Sequence, residues 1–119
     1  MITQTKRWGA WAEQRVTDLL QGRGWCQLER NWVCRWGELD LVMTKGDRLL
    51  VVEVKGRRST RWALAAVDRG KRRRLARAID CWRAQHPDHA GTLLEVVVAV
   101  VPLPPASGAV RWTPLEELS

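Results

Sequence analysis

The chain contains no phenylalanine and no tyrosine, so every aromatic contact must come from its eight tryptophans. Rings of this size mostly end in cores or in half-buried contacts. Cysteine is scarce as well. Cys26, Cys34 and Cys81 are odd in number and widely spaced, and no CxxC occurs. His86 and His89 do not stand beside a cysteine pair. A disulfide framework and a zinc ribbon are therefore excluded, and free buried thiols in a reducing cytosol are expected. Long apolar runs are also missing. The longest, near Leu93 to Val101, is interrupted by Glu95 and is too short to span a bilayer. No N-terminal apolar segment resembles a signal peptide, and the expected location is the cytoplasm. Internal repeats are absent.

The 119 residues suit a single domain, residues 1–119, with one modest core. Acidic residues are outnumbered: 20 Lys and Arg stand against 13 Asp and Glu, a net charge of +7 with a pI near 10.4. Such an excess favours a polyanionic partner, usually nucleic acid. Composition alone leaves open a basic surface that serves only solubility.

Periodicity divides the chain into seven elements. Trp8, Ala12, Val16, Leu19 and Leu20 recur at helical spacing and predict a helix from about Thr5, a plausible N-cap, to Gln21, ended by Gly22 and Gly24. Glu13 lies at the edge of its apolar stripe, open either to the sheet or to solvent. Trp25–Val33, Glu38–Thr44 and Arg48–Lys55 read as three strands joined too tightly for parallel crossovers, hence an antiparallel meander. Gly56–Arg61 reads as a polar, basic loop. A second helix is predicted over about Asp68–Gln85, with a helical turn around Leu64–Val67; Leu75, Ala78, Ile79 and Trp82 are its buried stripe. Arg73, Arg74 and Arg77 project from it as a basic ridge, whereas Lys71 falls on the stripe side. Thr92–Val101 is a β-branched strand placed to lie parallel to a neighbour, and Ala109–Thr113 a short edge strand. The order α-β-β-β-α-β-β describes an α/β fold, a mixed β-sheet flanked by helices.

Charge concentrates on the second and third strands. With a side-chain period of two, Glu38, Asp40 and Val42 share one face, and Val51, Glu53 and Lys55 share another. Charges on apolar strands are costly unless paired, hydrated or metal-bound. Phosphodiester hydrolysis calls for such a set. Asp40 and Glu53 with the Val54 carbonyl supply oxygens for Mg²⁺, or for Mn²⁺; Lys55 supplies a positive charge; Glu13 could reach the same cavity. Arg57, Arg58, Lys71, Arg73, Arg74 and Arg77 would draw in a polyanion. Trp36 and Trp62 flank the cluster, to stack on a base or simply to pack. The bland alternative is a Glu53–Lys55 ion pair on a solvated sheet, with Asp40 opposite a lysine.

Gly9-x-x-x-Glu13, Arg30-Asn31, Gly37-Glu38-Leu39-Asp40-Leu41-Val42 and Val51-Val52-Glu53-Val54-Lys55-x-Arg57 together resemble the bacterial YraN family. That family is similar to the Holliday-junction resolvases and belongs to the PD-(D/E)xK nuclease superfamily. The resemblance runs from about Trp8 to Arg58 and continues more weakly through Lys71. It implies a restriction-endonuclease-like core in which Asp40, Glu53 and Lys55 are the metal-dependent catalytic set and Glu13 is the helix-borne acid. Where the family often has Arg-Phe-Asp at its fourth strand, this chain has Leu93-Leu94-Glu95. The acid is longer and the arginine is gone, so no contact of that arginine is expected here.

The expectation is a Mg²⁺-dependent endonuclease on DNA, which the resemblance extends to branched or structured DNA and to a homodimer. Against it stand a non-catalytic nucleic-acid-binding accessory module and a small protein whose basic surface meets an acidic partner.

Overall fold

The helical and strand periodicities take shape in the computed structural model, which describes residues 4–58 and 69–115. The elements are α1 (Gln4–Gln21), β1 (Cys26–Cys34), β2 (Gly37–Lys45), β3 (Arg48–Arg57), α2 (Arg69–Gln85), a 3-10 turn (Pro87–His89), β4 (Leu93–Pro102) and β5 (Arg111–Pro114). Their order is the expected α-β-β-β-α-β-β. Trp62, the segment 59–61, the turn expected at Leu64–Val67 and the expected helix start at Asp68 lie outside the described residues.

The five strands form one mixed sheet in the order β1-β2-β3-β4-β5. β1, β2 and β3 make the antiparallel meander. β4 runs parallel to β3, which requires a crossover, and α2 lies within that connection. β5 closes the edge antiparallel to β4. Residues along β3 alternate between two cores. Leu50 and Val52 pack with Ala12, Val16 and Leu20 of α1, while Leu49 and Val51 pack with Leu75, Ala78, Ile79 and Trp82 of α2. Because neighbouring strand residues point to opposite faces, the two helices cover opposite sides of the sheet. β3 is buried on both faces, which explains its unbroken apolar run Leu49–Val52.

Several details differ from the sequence reading. Thr5 lies inside α1 rather than before it, because the helix already includes Gln4, a good helix former. Gly56 and Arg57 are not loop residues: the parallel ladder with β4 carries on through Gly56↔Val101 and Arg57↔Pro102. At Gly56 a Cβ would stand 2.9 Å from Leu103 Cδ1, so a side chain there would collide with the chain leaving β4. Leu39 does not follow Leu41 and Met43. It packs on the α2 side with Val42, so the alternation of β2 breaks between these residues. The cysteines are free as expected, but Cys26 is exposed and Cys34 and Cys81 are only half buried, each lying at an element end or helix edge. No helix among the described residues is long and apolar enough to cross a membrane.

Candidate active site

The β2–β3 ladder ends at Leu41↔Val52. The next pair in register would be Asp40 and Glu53. Here the backbone amide of Val54 donates instead to the Asp40 carboxylate, Oδ2, at 2.8 Å. A side chain has taken the place of a strand partner. The N–H and C=O of a strand residue point the same way, so the Val54 carbonyl faces this same gap.

A cavity of about 350 Å³ opens at this point. α1 contributes Glu13, β2 contributes Glu38 and Asp40, β3 contributes Glu53, Val54 and Lys55, and α2 contributes Lys71 and Arg74. The fold therefore gathers residues as far apart in the chain as Glu13 and Arg74 into one opening. Glu53 is 8% exposed. Lys55 Nζ stands 3.3 Å from Glu53 Oε1, with both side chains nearly closed to solvent. The solvated-sheet alternative for this pair is thus set aside.

Burial and crowding shift the acids. Asp40 is pushed up to about 7, first by desolvation and then by the charge of Glu53, with Glu13 and Glu38 adding to the effect. The Val54 amide opposes the rise. Glu13 is also raised, chiefly by burial; a hydrogen bond from Asn31 and the Arg30 charge pull against it. Lys71 is lowered by its hydrogen bond with Lys55 and by desolvation, while Glu53 and Asp40 favour its charged form.

Two residues singled out in the sequence only as part of a motif hold the helix-borne acid in place. Asn31 donates from Nδ2 to Glu13 Oε1 at 3.2 Å. Its φ of 53° lies in the left-handed region, where asparagine is among the few tolerated side chains. Arg30 ties β1 to α1, donating to Gln14 Oε1 at 2.7 Å and to the Ala10 carbonyl at 3.0 Å. Its Nε is 3.9 Å from Glu13 Oε1. The legible signal was an asparagine inside a strand, a residue type depleted there. An Asn31→Gly variant keeps the left-handed backbone and removes the donor. Its fold should survive, and the Glu13 carboxyl should titrate higher than in the wild type, as read by carboxyl ¹³C NMR.

The basic residues divide. Lys71 and Arg74 line the cavity. Arg73 is exposed on α2. Arg57 turns back to donate to the Gly56 carbonyl at 2.8 Å. Arg58 lines a separate cleft with Arg111 and the 106–109 segment. Arg77 lies over the ring of Trp36, 4.8 Å from its centroid. Trp36 is thus not an open stacking face. Glu95 pairs with Arg48 at 2.9 Å on the surface, so the acid at the start of β4 is engaged outside the cavity, with Arg48 also 4.8 Å from the Trp25 ring.

No group of three or more His, Cys, Asp or Glu among the described residues is placed to hold a metal ion. The oxygens that face the gap are two carboxylates, Asp40 and Glu53, and one backbone carbonyl. That donor set suits Mg²⁺, which keeps several waters and takes few protein ligands. Burial first, and then the charge of Glu53, disfavour the ionised Asp40 carboxylate, and a bound cation would offset both.

The sequence profile of Uncharacterised protein family UPF0102 matches residues 12–100, a span that holds every cavity residue named above. The chain belongs to this family. It is the YraN family by its other name. A UPF0102 protein of Parasynechococcus marenigrum is 63% identical over 110 residues, covering 92% of this chain and 82% of that protein. One from Synechococcus sp. strain CC9902 is 53% identical over 121 residues, covering 99% and 100%. The similarity reaches beyond the cyanobacteria: a UPF0102 protein of Mycolicibacterium vanbaalenii is 44% identical over 92 residues, covering 75% and 76%.

Proposed function

We propose that this UPF0102 protein is a divalent-metal-dependent endonuclease acting on DNA. One observation carries the reading: Asp40, Glu53 and Lys55 converge in a cavity at the point where β2 and β3 part, within a strongly basic chain. Asp40, Glu53 and the Val54 carbonyl would hold Mg²⁺. The ion would supply Lewis-acid polarisation of the scissile phosphate and ease deprotonation of the attacking water. Lys55 offers an ammonium where negative charge builds on the phosphate oxygens. Glu13, oriented by Asn31 and raised by burial, is placed to take a proton from water at a higher pH than an ordinary glutamate. Lys71 and Arg74 add the charge that attracts the polyanion. The resemblance to the resolvases extends the proposal to branched or structured DNA.

The test is cleavage of labelled linear duplex, single strand, flap and four-way junction, each with Mg²⁺, with Mn²⁺ and with chelator. Metal-dependent cutting, strongest on one shape, is the expected result. Salt-sensitive binding with no cutting in either metal would overturn the nuclease and favour the accessory binding module.

A further inference from the structure

The geometry points to a phosphate clamp beside the cavity, formed by Arg35, Trp36 and Arg77, that grips the backbone of a nucleic-acid strand outside the cavity. This rests on the nucleic-acid part of the function proposed above but not on hydrolysis. The guanidinium carbons of Arg35 and Arg77 stand 4.6 Å and 4.8 Å from the centroid of the same Trp36 ring. Both arginines are exposed and the ring is half buried. Arg35 and Trp36 come from the turn between β1 and β2, and Arg77 from α2, so the arrangement joins two elements across the rim. Trp36 directly precedes Gly37, and Arg77 lies one helical turn beyond Arg74; both Gly37 and Arg74 line the cavity.

Two cations gathered at one ring repel each other, and the attraction of the ring for each only partly offsets this. Among the described residues, no carboxylate is placed within ion-pair distance of either one. An anion shared between them would relieve the repulsion. Guanidinium groups present planar donor forks that match phosphate oxygens, and their contact with the indole holds them near one place in advance, which lowers the ordering cost of binding. The occupied ring argues for phosphate rather than base as the ligand. Trp36 acts as the platform, and the arginines make the contact.

The test is binding measured by fluorescence anisotropy in chelator. The probes are a labelled single strand of about twelve nucleotides and an abasic strand of the same length. Arg35→Ala/Arg77→Ala is expected to weaken both about ten-fold at low salt and to lower the slope of log K against log salt by roughly 1.4, two single-strand contacts' worth. Trp36→Leu should weaken both probes alike. Circular dichroism and thermal melting establish that the variants fold, and Arg35→Gln/Arg77→Gln serves if the alanine pair does not. An unchanged salt slope overturns the clamp. So does a Trp36→Leu protein that loses only the base-bearing strand, or a wild type that binds neither probe at low salt. Cleavage takes no part in this experiment, so the two readings fail separately. Cutting with an unchanged slope in the double variant retains the nuclease and removes the clamp; a reduced slope in a protein that never cuts does the reverse.

Discussion

Asp40→Asn is expected to lower metal-dependent cleavage by roughly a hundred- to a thousand-fold, the scale seen when one electrostatic partner of a transition state is removed. The same substitution should stabilise the protein in chelator. Asparagine still offers an oxygen to the Val54 amide, and it removes a carboxylate that burial, Glu53, Glu13 and Glu38 all disfavour. The folded pKa of Asp40, about 7, lies above the ordinary 3.8. The folded chain therefore holds a proton that the unfolded chain releases. Its contribution to stability is full below the ordinary value and is lost as pH rises towards the folded one. In melts with chelator, wild type and variant should nearly coincide at about pH 4, and the variant should melt several degrees higher at about pH 8. Millimolar Mg²⁺ should raise the wild-type Tm at pH 8 and leave the variant's nearly unmoved, because a ligand of the native state stabilises only where it binds. A gap between the two proteins that does not change with pH would contradict the placement of this proton on Asp40. Full cleavage by the variant would remove Asp40 from the site.

Lys55→Ala separates activity from stability. Cleavage should fall by roughly a hundred- to a thousand-fold through loss of the cation facing the phosphate. Stability should also fall, by about 3 kcal/mol, because Glu53 would stand nearly buried without the ammonium 3.3 Å away. Lys71, in the same cavity, sets the lower side of that figure. Adding Glu53→Gln should restore most of the stability, since a neutral amide needs no counter-charge, while cleavage stays absent. Urea denaturation and the cleavage assay read the two effects independently. Recovery of cleavage along with stability in the double variant would mean that neither the Glu53 carboxylate nor Lys55 belongs to the catalytic set. In that event the nuclease proposal would lose its cation.

Much of this was legible in the chain. The helices announced themselves through Val16, Leu20, Leu75 and Ile79 at helical spacing, and the strands through runs such as Leu49–Val52. The charged pairs at Asp40 and at Glu53 and Lys55 stood out because apolar strands seldom carry them. Other features were illegible for definite reasons. Strict alternation placed Leu39 with Leu41, yet Leu39 packs under α2. Asp40 turned out to hold the neighbouring strand's amide in place of a ladder bond. Neither departure has a local sequence signature, because each depends on where β2 and β3 part.

The amino-acid order by itself determined the succession of elements, the excess of positive charge and the presence of an Asp, Glu and Lys set on two adjoining strands. These follow from local periodicity and composition, which each segment carries with it. Tertiary structure alone decided which charges meet. It turned Asn31 into the left-handed region to hold Glu13, brought Lys71 from α2 to Lys55, and set Arg77 over Trp36, while leaving Arg58 in a different cleft. Those distances are fixed by strand register and by which face of the sheet each helix covers. Both are settled by packing between segments far apart in the chain.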